Sequence, residues 1–223
     1  MKIAFVEPAL PKTGSLVVGI LEERELTPTA ADIDRRCGGA LKRAMEFSRF
    51  RGKREQTLDV LVPQGIAIGR IVLVGLGKAN ELDEIKAEAI GGATVAHLNR
   101  VGEKTAMIAI DKLPHGKTAP AAMAARVALG AALRAYRFDK YKTKEDKDKK
   151  PSLATLNIAV ADRAAAERAY RPLEKIAEGV FFTRDLVSEP ANIIYPETLA
   201  KAAKKLEKLG IDVEVLDEKQ MAK

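Results

Sequence analysis

Four stretches of this 223-residue chain carry residue types that could do chemistry. Gly75-Leu76-Gly77-Lys78 follows a predicted strand and precedes a predicted helix. A phosphate-binding turn would stand in such a place, because the free N–H groups of a helix start attract anions. A P-loop, however, needs Gly five residues before Gly77 and Ser or Thr after Lys78, and Val72 and Ala79 stand there. A dinucleotide fingerprint needs Gly where Asn80 stands. What remains is a tight strand-to-helix turn. The two histidines, His97 and His115, show no His-x-x-x-His spacing, and there is no Cys-x-x-Cys. Both are expected at the surface, His97 near a helix end, where the dipole favours a cation, and His115 in the turn Pro114-His115-Gly116. Cys37 is the single cysteine and shares helical spacing with Ile33 and Leu41, so it reads as a small core residue rather than a nucleophile. Ser188-Glu189 has no histidine near it in sequence and no Gly-x-Ser-x-Gly elbow. Residue types and spacing alone assemble no active site.

The elements that would position such groups follow from hydrophobic patterning. Short apolar runs predict strands at Ile3–Val6, Leu16–Leu21, Leu58–Val62, Ile71–Gly75, Ala106–Ile110 and Leu156–Val160. Several are apolar at consecutive positions, as in strands covered on both faces. Helical stripes separate them. Thr29 with Asp32 reads as a capping box, with Ile33, Cys37, Leu41 and Met45 on one stripe. Asn80 with Asp83 opens a second helix, in which Gly91-Gly92 implies close approach to the sheet or to another backbone. A third, from about Pro120 to Tyr136, has a small-residue face expected to pack against a flat sheet. Asp162 caps a helix from Arg163. Pro172 either kinks it or sits in the first turn of a second one, whose stripe is Leu173, Ile176, Ala177, Val180 and Phe181. A helix starting at Pro196 should end at Gly210, and Val213–Leu216 reads as a further strand. Alternating strands and helices predict a layered α/β domain.

Hydrophobic residues make up 47% and charged residues 31%, a globular balance, and no apolar run has the roughly 18 residues that a membrane span needs. A lone cysteine allows no internal disulfide, which suits a cytoplasmic protein. The net charge of +7 permits contact with acidic partners, yet the basic residues read as scattered among acids, with no RNA-binding motif. The run Lys140–Lys150 carries both signs and reads as an exposed loop.

One segment is more specific. Thr183-Arg184-Asp185-Leu186-Val187-Ser188-Glu189-Pro190-Ala191-Asn192, followed by Tyr195-Pro196-Glu197-Thr198-Leu199-Ala200, resembles the entry to the catalytic domain of leucyl (cytosol) aminopeptidases. Ser188 stands where Asn is common there, and Tyr195 where Thr is common. Gly130–Thr143, Val72–Gly77 and Asp212–Lys219 also look like segments of that family, so the resemblance covers essentially the whole chain. It implies an α/β fold with a mixed sheet flanked by helices, similar to macro domains, over residues 1–162. Connecting helices over 163–187 and the first α-β unit of a truncated peptidase domain over 188–223 would follow. It further implies a cytoplasmic homohexamer that releases N-terminal residues from peptides with two divalent ions, Mn or Zn, in the parent protein. The family's metal-binding motif Asn-Thr-Asp-Ala-Glu-Gly-Arg is absent here, so no catalytic, metal or cofactor-binding residue is carried onto this chain, and the piece is expected to be inactive alone. Arg184, Asp185, Pro190 and Asn192 are read as structural residues of the domain junction, with Asn192 holding an irregular turn. Two further readings are a macro-like module for a nucleotide or ADP-ribose and a weakly DNA-binding module, which the charge permits. No membrane partner is expected.

Overall fold

The computed structural model describes residues 1–146 and 150–222, which form two compact units, residues 1–178 and the residues from Gly179 onward. The first unit is built on six strands: β1 (Lys2–Val6), β2 (Ser15–Leu21), β3 (Thr57–Leu61), β4 (Arg70–Gly77), β5 (Thr105–Ala109) and β6 (Thr155–Ala159). They form one mixed sheet in the order β1-β6-β5-β2-β4-β3, parallel except for β3, which runs antiparallel to β4 at one edge. All six strands coincide with the predicted apolar runs to within two residues at either end.

The pleat of the strands sorts two cores. On β2, Leu16, Val18 and Ile20 face one side, and Val17 and Leu21 the other. The first side is covered by α1 (Pro28–Arg36) and α2 (Ala40–Glu46), through Ile33, Cys37, Leu41 and Met45. The predicted stripe is therefore buried, but it belongs to two helices, because Gly38 and Gly39 both take positive φ (56° and 81°) and break the run. The other side is covered by α3 (Glu84–Arg100), α4 (Pro120–Ala135) and the start of α5 (Arg163–Ser188).

Both helix starts read from Thr29 and Asn80 move. Helix α1 begins at Pro28, whose fixed φ suits the first turn, and Thr29 binds a side chain from outside the helix instead of capping it. Helix α3 is capped by Asp83, whose carboxylate accepts from the Lys86 N–H at 2.8 Å, while Asn80 lies in a short 3-10 turn. Gly91 and Gly130 mark where α3 and α4 cross. A Cβ on Gly91 would lie 2.1 Å from the Val127 carbonyl oxygen, and one on Gly130 would lie 1.8 Å from that of Glu88. The close approach expected at Gly91 is thus to a neighbouring helix, and the small residue of α4 at Gly130 meets α3 rather than the sheet.

Pro172 lies inside a single 26-residue helix, α5. Of its expected stripe, Leu173 and Ala177 are buried and Ile176 is exposed. In the second unit, α6 (Pro196–Lys204) continues as 3-10 turns to Leu209, and Gly210 ends it at φ 80°. Residues 211–217, expected to include a strand, pair with no other strand among the described residues, and a short helix α7 (Glu218–Met221) follows. A strand exists only through hydrogen bonds to a neighbour, so the extended run stays irregular. Of the Lys140–Lys150 run, residues 147–149 lie outside the described residues, and the rest is irregular and mostly exposed, with Glu145 paired to Arg137.

Candidate functional site

The Gly75–Lys78 turn sits at the C-terminal end of β4, where open α/β sheets bind ligands. Its backbone is already committed. The Gly75 N–H donates to the Gln56 carbonyl at 2.8 Å, the Gly77 N–H donates to Gly52 at 2.9 Å, and the Gly75 carbonyl accepts from Glu55 at 3.0 Å. A phosphate would need those N–H groups free. The glycines serve contact instead, since a Cβ on Gly75 would stand 2.0 Å from the Lys53 carbonyl oxygen. Lys78 pairs with Glu81 at 3.2 Å, which holds its ammonium above the usual lysine range.

The strand order reverses between β2 and β5, and the loops after those strands form a second crevice. A carboxylate of the chain itself occupies the helix start there. Asp111, two residues past β5, accepts from the Thr29 N–H at 3.0 Å and from the Thr29 hydroxyl at 2.6 Å. Helix α1 thus spends its anion-attracting end on an internal partner, which removes the best-placed phosphate site that a nucleotide-binding reading would need. Sequence spacing could not pair residues so far apart in the chain.

His97 is buried rather than on the surface, and it is the centre of a polar network at the sheet edge. Its Nε2 lies 3.0 Å and 3.1 Å from the two Asp59 carboxylate oxygens, and its Nδ1 accepts from the Arg100 guanidinium at 2.8 Å. Arginine only donates, so the Nε2 carries the proton and donates to Asp59. Arg70 bridges Asp59 at 3.2 Å and Glu103 at 2.9 Å. These groups bond to one another and tie β3, β4 and α3 together. His115 is exposed, with φ 57°. Cys37 is buried, and burial, with Asp34 nearby, raises its thiol above the usual range, away from nucleophilic use.

Among the described residues no group of three or more His, Cys, Asp or Glu side chains converges in a way that could hold a metal ion. A pair of divalent cations needs several oxygen ligands around each ion, so the described residues do not fit the two-metal centre that the resemblance implies for the parent protein. In the second unit, Ser188 ends α5, and the following turn is held by the Pro190 carbonyl, which accepts from Ile193 and Ile194 at 2.8 Å and 3.0 Å. The Thr198 hydroxyl then accepts from the Tyr195 N–H at 2.9 Å and donates to the Ile193 carbonyl at 2.7 Å. The turn expected to rest on the Asn192 amide thus rests on Pro190 and Thr198.

Comparison with known proteins agrees with this arrangement. Residues 17–145 match the model of the cytosol aminopeptidase family, N-terminal domain. A probable cytosol aminopeptidase of Caulobacter vibrioides is 42% identical over all of the chain, and one of Rhodopseudomonas palustris is 39% identical over 99% of it. The chain spans 44% of the length of either relative. A tomato leucine aminopeptidase mutant superposes with a TM-score of 0.81 at 26% identity, over the whole chain and 45% of that structure. The bottromycin maturation enzyme BotP, solved in complex with Mn, shares the fold at 22% identity and a TM-score of 0.63. Six strands in this order, helices on both faces and the matched residues 17–145 place the chain in the cytosol aminopeptidase family, where it supplies the N-terminal domain.

Proposed function

We propose that this chain is the non-catalytic front part of a metal-dependent leucyl aminopeptidase. The reading rests on one observation above all: the chain matches the family's N-terminal domain over residues 17–145 and folds around a six-stranded sheet, while the described side chains bring no metal-binding carboxylates together. The division into an N-terminal domain over 1–162, connecting helices over 163–187 and the opening of a catalytic domain over 188–223 belongs to the same proposal. The parent releases N-terminal residues from peptides, prefers leucine-like side chains, works in the cytoplasm and assembles as a homohexamer. Its two divalent ions, manganese or zinc, are held by residues outside those described here. The Mn in the BotP complex supports that metal class. In this division of labour the domain serves assembly and regulation. The test is an assay of the purified chain on leucine-p-nitroanilide with added Mn2+. No turnover is expected, and turnover tracking the purified chain would overturn the proposal.

A further inference from the structure

At the end of the sheet away from the Gly75–Lys78 turn, the starts of β1 and β6 and the last turns of α3 and α4 border a crevice of about 510 Å3. Small-molecule sites span roughly 300–1,000 Å3. Part of the wall is apolar, from Ala96, Ala135, Pro151 and Leu153.

The polar part of the wall carries both signs. Arg134, exposed in the last turn of α4, forms no hydrogen bond or ion pair among the described residues, and neither does Lys150. The Asn99 side-chain oxygen accepts from the Leu153 N–H at 2.9 Å. That bond fixes the amide and leaves its NH2 group without an acceptor among the described residues. Arg137 is held between Glu145 and Asp139, the latter at 3.3 Å. The Asp139 side chain is 59% exposed and open to a second cation.

We propose that this crevice binds a free amino acid with an apolar side chain. Asp139 takes the ammonium, Arg134 and the Asn99 amide take the carboxylate, and the apolar wall takes the side chain. A zwitterion needs an anion and several donors within one small site, and both line this one. Helix α4 ends on the rim at Ala135, and a helix C-terminus favours a cation, which suits the ammonium. A phosphate would set further negative charge against Asp139 and Glu145, which already take up Arg137. A carboxylic acid without an ammonium would use the donors and leave Asp139 unused. The binding does not depend on the peptidase reading, but its role rests on it. Under that reading a free amino acid is the product, and the crevice gives product a second place to bind, on a domain that carries no chemistry.

The test is amide NMR of the whole chain titrated with leucine, glycine, N-acetyl-leucine, leucinamide and inorganic phosphate. Leucine is expected to saturate at millimolar concentration and to shift the amides of residues 96–99 and 134–139. N-acetyl-leucine lacks the ammonium and leucinamide the carboxylate, so each should bind about tenfold more weakly. Glycine, with no side chain to bury, should bind more weakly than leucine. Arg134→Gln should erase the preference for leucine over leucinamide, and Asp139→Asn the preference over N-acetyl-leucine. Both positions are exposed, and unchanged melting would show that the variants fold. Absence of binding at tens of millimolar leucine would overturn the proposal. So would shifts confined to other surfaces, phosphate or N-acetyl-leucine binding as tightly as leucine, or preferences untouched by both variants. Turnover of leucine-p-nitroanilide by the chain would remove the assigned role and leave the binding result standing, so the two failures are distinct.

Discussion

A histidine near a helix end is ordinarily solvated, but His97 is clasped between Asp59 and Arg100, with Arg70 and Glu103 completing the set. Removing one member of a buried polar group leaves the others short of partners. His97→Ala is therefore expected to lower stability by about 2 kcal/mol in urea denaturation. Unchanged stability would show that the network contributes nothing. The carboxyl of Asp83, bonded by Lys86, is held below the usual carboxylate range. A lowered folded value stabilises above the unfolded one, so its contribution is in place at neutral pH and fades as pH falls through the folded value. Asp83→Ala should thus destabilise at pH 7 and converge with the unaltered chain in strong acid, as read from melting curves. The single-residue roles were the least legible in the sequence. His97 and Asp59 are 38 positions apart and Thr29 and Asp111 82, and nothing in local spacing announces such pairs.

Elements were far more legible, because strands buried on both faces leave continuous apolar runs that pattern alone reveals. What spacing could not resolve was where helices begin and break. Gly38-Gly39 interrupts a stripe whose burial is otherwise continuous, and Asp83 takes the cap that Asn80 was expected to begin. Partners were hidden as well. The glycines of α3 and α4 implied a close contact, yet only the fold shows that each helix meets the other's backbone. Gly130→Ala would drive a Cβ against the Glu88 carbonyl oxygen, and overpacking of this kind costs about 3 kcal/mol. The same substitution at Gly179, where a Cβ meets nothing within 4 Å, should strengthen the helix slightly. Equal urea midpoints for the two variants would contradict the crossing geometry.

For the whole molecule, the family was legible from the stretch around Pro190, a piece of turn and helix start with no chemistry of its own. The glycine motifs of the sequence match neither a P-loop nor a dinucleotide fingerprint. The fold accounts for what those motifs do instead: the Gly75–Gly77 amides hold the loop at Gly52–Gln56, and Asp111 fills the start of α1. Under the proposed function this domain contributes architecture to a peptidase whose metals sit elsewhere. Equilibrium dialysis of the purified chain against Mn2+ and Zn2+, with the bound metal quantified, tests it most directly. No metal should be retained at micromolar free ion, whereas two tightly held ions per chain would overturn the proposed function.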